Sequence, residues 1–183
     1  MRRFFVLSSA FVTMAVGVAW AAEPLKSGPQ VGSELPGPFH PLNVNGENAG
    51  QKSCLYCRYG GDPVAFVFAG RNTPEVAQLI KLLEAATQAH KAADLGGCVI
   101  FCSADESLKG QLEALAKKEG LKNIILAIDE PAGPEEYKVA KDADVTVLLC
   151  KEKTVKVNYA FRKGELNDKA IAQIVADLPK IVK

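Results

Sequence analysis

The segment that most constrains the fold is a short, unbroken apolar run, Pro63-Val-Ala-Phe-Val-Phe-Ala69. Its Val and Phe residues, with no polar residue between them, predict a strand over Val64–Ala69 that is buried on both faces. Two cysteines in a Cys-x-x-Cys spacing, Cys54 and Cys57, precede this run. Because a Cys-x-x-Cys pair beside a strand–helix unit indicates thiol redox chemistry, its position relative to the strand bears directly on function.

The segment after this strand carries the signals of a helix start. Thr73 is a predicted N-cap and Pro74 the first helical residue, so a helix is predicted to run to about His90. Further apolar patterns predict the strand Cys98–Cys102, the helix Glu106–Glu119, the strand Asn123–Ile128, a short helix within Pro131–Lys141, the strands Val145–Cys150 and Thr154–Phe161, and the helix Leu166–Lys183. Alternation of strands and helices in the first half predicts parallel pairing, and the short charged turn before Thr154 predicts a closing hairpin.

The N-terminus has the three parts of a secretory signal. Arg2 and Arg3 supply the positive charge, an uncharged run follows, and Ala19-Trp-Ala21 offers small residues for cleavage. We expect residues 1–21 to be removed on export, leaving a periplasmic or secreted protein that does not span a membrane. A single-span anchor is the alternative, because the apolar run is at the short limit for a membrane span.

The remaining chain is interpreted as one domain with an irregular lead-in. Residues 22–38 are rich in Gly, Pro and Ser, and residues 39–183 are predicted to form the domain. Phe39–Val44 is predicted as a first strand, with Ala49–Ser53 returning beside it as a hairpin arm.

Composition and motifs exclude several function classes. Without Arg2 and Arg3 there are 22 − 2 = 20 basic residues against 21 acidic ones, and no basic patch suits a phosphate backbone, so we expect no nucleic-acid partner. No cofactor motif is present; a haem attachment site needs His after the second cysteine, where Arg58 stands. His40 and His90 are isolated and are interpreted as surface or capping residues.

This order of elements resembles the thioredoxin superfamily, and most of all its exported redoxin-type branch. The resemblance rests on the lead-in Val31-Gly-Ser-Glu-Leu-Pro-Gly-Pro-Phe39, the strand Val64–Ala69, and the closing hairpin with its terminal helix, and it extends from Gly32 to Val182. It implies an α/β thioredoxin-like fold, in which a central mixed sheet is flanked by helices and, in this chain, preceded by the N-terminal hairpin arm.

The motif positions of that superfamily are not kept. Thioredoxins place their Cys-x-x-Cys after the first core strand, at the start of the helix, and we call this place the usual site. Here it holds Gly70-Arg-Asn-Thr-Pro-Glu75, without sulfur. Peroxiredoxins place their reactive cysteine three residues after a Thr, where this chain has Val76, and Val145 stands at the position of the family's cis-proline. Neither activity therefore transfers to these residues, although Arg71 and Glu75 could bind a small anion or a peptide rather than form an ordinary solvated helix start.

The cysteines that are present are predicted to lie elsewhere. Cys54 and Cys57 enter the core strand from its N-terminal side, and a strand of six residues spans about 20 Å. They are therefore expected at the end of the sheet opposite the usual site. The inferred topology places Cys98 and Cys150 at that same end and Cys102 nearer the usual site.

Three interpretations of these cysteines remain open. In the first, Cys54 and Cys57 are catalytic and exchange disulfides with a partner protein, with Cys54 preferred as the attacking thiolate and Tyr56, Arg58 and Tyr59 available to bind that partner. In the second, the cysteines at this end form inert disulfides that fasten the N-terminal arm to the sheet of a non-catalytic binding or scaffold module. In the third, Cys54, Cys57, Cys98 and Cys150 bind zinc. The sequence does not decide the substrate, the disulfide connectivity or the oligomeric state.

Overall fold

The computed structural model describes residues 24–183, so the predicted signal peptide lies outside it. The described chain forms a six-stranded sheet in the order β1-β4-β3-β2-β5-β6. The strands are β1 (Leu42–Asn43), β2 (Val64–Ala69), β3 (Gly96–Cys102), β4 (Ile124–Asp129), β5 (Val145–Lys151) and β6 (Thr154–Phe161). The helices are α1 (Leu55–Tyr59), α2 (Pro74–Ala89), α3 (Leu108–Glu119), α4 (Asp168–Asp177) and α5 (Pro179–Val182), with 3₁₀ turns at Lys91–Ala93 and Glu135–Tyr137.

The predicted central strand, β2, lies in the middle of a mixed sheet. It pairs in parallel with β3 on one side and antiparallel with β5 on the other, and all six of its residues are buried. The β3 strand pairs in parallel with β4, whereas β5 and β6 form the closing antiparallel hairpin. The predicted α/β architecture with a central mixed sheet is confirmed.

The two faces of β2 contact different layers, because successive side chains of a strand point to opposite sides. Ala65 and Val67 pack in the apolar cluster formed with α2, α3, α4 and α5. Phe66 and Phe68 face the other way, into a cluster that contains Leu35, Phe39, Leu55, Tyr59 and Tyr137. The second face is therefore covered by the N-terminal segment, α1 and a 3₁₀ turn rather than by long helices.

The start of α2 follows the sequence signals. The hydroxyl oxygen of Thr73 accepts a hydrogen bond from the Val76 N–H, and Pro74 occupies the first turn, where its missing N–H leaves no helical bond unmade. Val76, Leu79, Ile80 and Leu83 are buried along one side of the helix. The prediction of this helix and its N-cap is confirmed.

The N-terminal arm differs from its prediction. The strand predicted over Phe39–Val44 shortens to the two residues of β1, which pair with β4. The predicted return strand makes one antiparallel bridge, between Leu42 and Lys52, and no ladder. The backbone groups that a longer ladder would pair are hydrogen-bonded within the turn instead. The Asn43 N–H donates to the Gln51 carbonyl, and the Asn43 carbonyl accepts from the Gly50 N–H.

The lead-in segment packs on the sheet despite having no regular structure. The Gly32 N–H donates to the Val155 carbonyl, and the Leu35 N–H donates to the Lys153 carbonyl at 2.7 Å. The buried Ser27 hydroxyl lies 2.6 Å from that of Thr146 on β5. This segment therefore contacts the β5–β6 hairpin along much of its length.

The helix predicted over Leu166–Lys183 begins later and divides into two. Asn167 caps α4, and α5 begins at Pro179 directly after Leu178. Proline has no N–H to donate to the carbonyl four residues earlier, so the helical bond to Val175 cannot form and the helix is interrupted there. Within residues 24–183, no helix combines the length and apolar character needed to cross a membrane.

Candidate functional site

The Cys-x-x-Cys pair lies on the short helix α1. Cys54 is its N-cap and Cys57 lies in its first turn, and their sulfurs form a disulfide with Cα atoms 5.2 Å apart. The Cys54 Sγ also accepts a hydrogen bond from the Cys57 backbone N–H at 3.0 Å. Cys57 is exposed, whereas Cys54 is half-buried. The two sulfurs of one bond therefore have different surroundings.

Two buried side chains hold α1 against the sheet. Leu55 is fully buried, and the Tyr59 hydroxyl donates a 2.7 Å hydrogen bond to the Gly97 carbonyl of β3. The Tyr59 ring lies against Gly96, where an added Cβ would be only 2.2 Å from the ring atom Cε1. This close approach requires a residue without a side chain at position 96.

The structure corrects the sequence prediction for Tyr59, which was expected to be available to bind a partner protein. The residue is 8% exposed, and its ring makes an edge contact with Phe66, at 6.0 Å between ring centroids. Burial, with a further contribution from the nearby Cys98, raises the pKa of Tyr59 well above its usual value, so the hydroxyl stays a hydrogen-bond donor. The Cys-x-x-Cys spacing does not indicate that Leu55 and Tyr59, four residues apart on α1, face the core.

The pair lies where β2 begins, at the end of the sheet opposite the N-terminus of α2. The chain turns between α1 and β2. In this turn the Gly61 carbonyl accepts a hydrogen bond from the Glu152 N–H, which belongs to the β5–β6 turn. In that same turn, the ammonium group of Lys153 lies 5.3 Å from the centre of the Tyr56 ring. Lys153 is nearly a hundred residues away in sequence, so the sequence analysis could not identify it as a neighbour of the pair.

Cys98 and Cys150 share this end of the sheet, as predicted. Cys150 pairs with Val64, the first residue of β2, and Cys98 pairs with Phe66. Both are free and buried in the same apolar cluster as Leu55 and Tyr59. Burial raises the pKa of the Cys150 thiol to about 12. Burial, with a contribution from the neighbouring Cys150, raises the pKa of the Cys98 thiol well above its usual value.

The disulfide bears on the two other interpretations of the cysteines. It joins residues three apart, within α1, and so does not fasten the N-terminal arm to the sheet. Two of the four sulfurs considered for zinc are bonded to each other. In the described part of the chain, no group of three His, Cys, Asp or Glu residues is placed to hold a metal ion.

Cys102 lies at the other end of β3, nearer the usual site, as expected. It pairs with Asp129, is half-buried, and would lie 3.1 Å from a Cβ added at Gly133. Burial, with a contribution from the Asp129 carboxylate, raises the pKa of its thiol to about 12. A thiol of this kind is almost wholly protonated near neutral pH and is a poor nucleophile.

The usual site is occupied by an ion pair instead of sulfur. Arg71 makes a two-pronged contact with the Asp144 carboxylate, with two 2.8 Å hydrogen bonds from one guanidinium nitrogen and one of 3.1 Å from Nε. Val76, at the peroxiredoxin-like cysteine position, is buried. Beside the ion pair is a cavity of about 290 Å³ whose lining includes Thr73 and Lys163 but no cysteine.

Comparison of the structure with known proteins gives one consistent answer about the fold. A candidate protein disulfide isomerase from Bacteroides thetaiotaomicron aligns with a TM-score of 0.61 at 20% identity, over 86% of this chain and 94% of that one. A secreted disulfide oxidoreductase of Mycobacterium tuberculosis, homologous to DsbE of E. coli, aligns with a TM-score of 0.55 at 15% identity, over 75% of this chain and 94% of that one. A peroxiredoxin Q variant from Xanthomonas campestris aligns with a TM-score of 0.55 at 14% identity, over 79% and 92% of the two chains.

This chain has a thioredoxin-like fold. The fold implied by the resemblance is thereby confirmed. No family model and no curated protein sequence matches the chain. At these identities the similarity establishes the thioredoxin-like fold and not an activity, so the function has to be argued from the site.

Proposed function

We propose that this chain is an exported thioredoxin-fold protein that exchanges disulfides with partner proteins through Cys54 and Cys57. The observation that carries the proposal is a disulfide in which the residue Cys57 is exposed, in a fold where the three other cysteines are free, Cys98 and Cys150 buried and Cys102 half-buried. A bond sealed under the N-terminal arm could not meet a partner protein, whereas Cys57 on α1 is open to solvent.

The proposed reaction is a two-electron exchange. A partner protein with two thiols gives up two electrons and becomes a disulfide, and the Cys54–Cys57 bond takes them up to become two thiols; the reverse direction oxidises the pair and reduces the partner. Both directions need only protein thiols and disulfides as co-reactants. The exposed Arg58 and the half-buried Tyr56 flank Cys57 on α1 and are proposed to contact the partner.

Export is part of the proposal. The N-terminal pattern of charged, apolar and small residues supports it, and one structurally similar protein is a secreted disulfide oxidoreductase. We propose cleavage after Ala21, into an oxidising compartment where disulfides persist. Expression with the complete leader, followed by mass measurement of the chain recovered outside the cytoplasm, tests this: retention of residues 1–21 would argue for the membrane anchor instead.

The second candidate function is a non-catalytic binding module. The observation that favours it is the Arg71–Asp144 ion pair at the usual site, which leaves that site without a thiol. In this alternative the Cys54–Cys57 bond is structural. Closing a loop of four residues stabilises the folded state by about 2 kcal/mol in the chain-entropy estimate, which is enough to retain such a bond without any exchange.

The reduction potential of the Cys54–Cys57 pair separates the two functions. Equilibration of the mature protein with glutathione buffers, quenching and mass measurement give the potential directly. A value between about −120 and −270 mV, the range of known exchangers, supports exchange, whereas a value below about −300 mV identifies a structural bond. The variant Cys102→Ser is the control, because it removes a thiol outside the pair and should leave the potential unchanged.

A further inference from the structure

The geometry points to Cys57 as the sulfur that forms the mixed disulfide with a partner. Cys54 is then the sulfur that leaves when the pair is reduced, and the one that resolves the mixed disulfide when the pair is oxidised. This inference rests on the proposed function. It reverses the order preferred from the sequence, where Cys54 was expected to attack first. Two independent features of α1 lead to it.

The first feature is access. Cys57 is exposed, while Cys54 is half-buried at the point where the chain enters α1, beside the buried Leu55. A thiolate of a partner protein must approach the attacked sulfur in line with the disulfide bond and bring its own backbone with it. The exposed sulfur therefore admits a protein partner more readily than the half-buried one.

The second feature is the fate of the sulfur that departs. The Cys57 backbone N–H already donates a hydrogen bond to the Cys54 Sγ at 3.0 Å. When the bond breaks with its electron pair on Cys54, that N–H stabilises the new thiolate, since hydrogen bonds to the charged form favour it. A better-stabilised thiolate leaves faster, so attack at Cys57 is favoured over attack at Cys54.

The exchange then proceeds in two balanced steps. A partner thiolate attacks the Cys57 Sγ, the partner–Cys57 bond forms, the Cys57–Cys54 bond breaks, and the electron pair goes to the Cys54 Sγ. The second thiolate of the partner attacks the partner's own sulfur in the mixed disulfide, which releases Cys57 as a thiolate and leaves the partner oxidised. The two protons lost by the partner thiols end on Cys54 and Cys57. In the opposite direction Cys57 attacks the partner disulfide and Cys54 resolves it.

The neighbours of Cys57 are consistent with a surface that meets another protein. Arg58 follows it on α1, with its guanidinium 3.9 Å from the Glu47 carboxylate, and both side chains are substantially exposed. Lys153 lies over the Tyr56 ring next to Cys57. Charged and aromatic side chains thus belong to the residues adjoining Cys57 on α1.

The experiment identifies which sulfur is attacked. The oxidised mature protein is mixed briefly with excess glutathione, quenched with N-ethylmaleimide and digested, and the peptide is sequenced by mass spectrometry. We expect the species with glutathione on Cys57 and maleimide on Cys54 to exceed the opposite isomer by roughly tenfold. Equal amounts of the two isomers, or an excess of glutathione on Cys54, would overturn the assignment.

The same reaction in concentrated urea is the control. Unfolding removes the difference in burial and the ordered N–H donor, so the ratio of the two isomers should fall towards one. An unchanged ratio in urea would also overturn the inference, because the preference would then not come from the folded geometry. The isomer ratio and the reduction potential are separate measurements, so a failure of the assignment can be told apart from a failure of the proposed exchange function.

Discussion

The packing of Tyr59 on Gly96 gives the sharpest test of how α1 is held on the sheet. In the variant Gly96→Ala the new Cβ would lie 2.2 Å from Cε1 and 2.4 Å from Cδ1 of the Tyr59 ring. Ordinary contacts between carbon atoms are about 3.5–4.0 Å. The ring must therefore move by roughly 1.3 Å or more, although it is buried and bonded to the Gly97 carbonyl.

The expected cost follows from these contacts. Overpacking of a filled core typically costs about 1–3 kcal/mol, and weakening the Tyr59 hydrogen bond adds about 1 kcal/mol. We expect Gly96→Ala to lower the free energy of unfolding by about 2–4 kcal/mol. Gly61→Ala is the matched control at the same end of the sheet, because its new Cβ meets nothing closer than 3.8 Å and its φ is not positive.

A double-mutant cycle makes the test specific to the pair. In a Tyr59→Ala background the ring is absent, so Gly96→Ala should cost close to nothing; in a Tyr59→Phe background the ring remains and the cost should persist. Urea unfolding followed by far-UV circular dichroism measures each variant, since the single tryptophan, Trp20, lies in the predicted signal. Wild-type stability of Gly96→Ala, or an equal cost in the Tyr59→Ala background, would refute the argument that this contact positions α1.

Two further predictions concern a buried carboxylate and the free thiols. Burial acts to raise the pKa of Glu84, but hydrogen bonds led by the Ile124 N–H at 2.9 Å hold it below its usual value. Its contribution to stability is therefore present above about pH 4.3 and is lost as the pH falls through the lower folded-state pKa. Glu84→Ala should lower the free energy of unfolding by about 3 kcal/mol at pH 7 and flatten the acid side of the curve of stability against pH. An unchanged curve would contradict this. In native protein at pH 7, maleimide should label none of the cysteines before mild reduction, and should label Cys54 and Cys57 after it. Cys98, Cys102 and Cys150 should be labelled only in urea. Rapid labelling of Cys98 or Cys150 in the native protein would contradict their burial.

Elements whose signals are local were predicted well from the sequence. The strand predicted over Val64–Ala69 is an apolar run whose two ends are clear in the sequence, and it forms β2 with the same bounds. Thr73 and Pro74 specify a helix start through hydrogen bonds and sterics that span only a few residues. The predicted strand at Thr154–Phe161 also agrees with β6.

Elements that depend on distant partners were predicted less well. The arm around Asn45 was predicted as a hairpin, yet the Val44 N–H donates to Leu126 on β4, and the Asn45 side chain bonds to both Ile124 and Leu126. The arm therefore pairs with the sheet edge as well as with itself, and its self-pairing is limited to one bridge and a few main-chain bonds. Tyr59 was predicted as a partner contact because nothing near it in sequence reveals that the glycine which accommodates its ring is residue 96.

By itself, the sequence determined the core strand, the capped helix after it, the absence of sulfur at the helix start, and the presence of a cysteine pair before the strand. These features depend on apolar runs, caps and spacings that act over a few residues. Only the tertiary structure decided which sulfur of the pair is exposed, which N–H supports the other, and that Tyr59 belongs to the core. Those properties depend on how α1 packs against strands about forty residues later in the chain, and such packing is a sum of long-range contacts that no local pattern encodes.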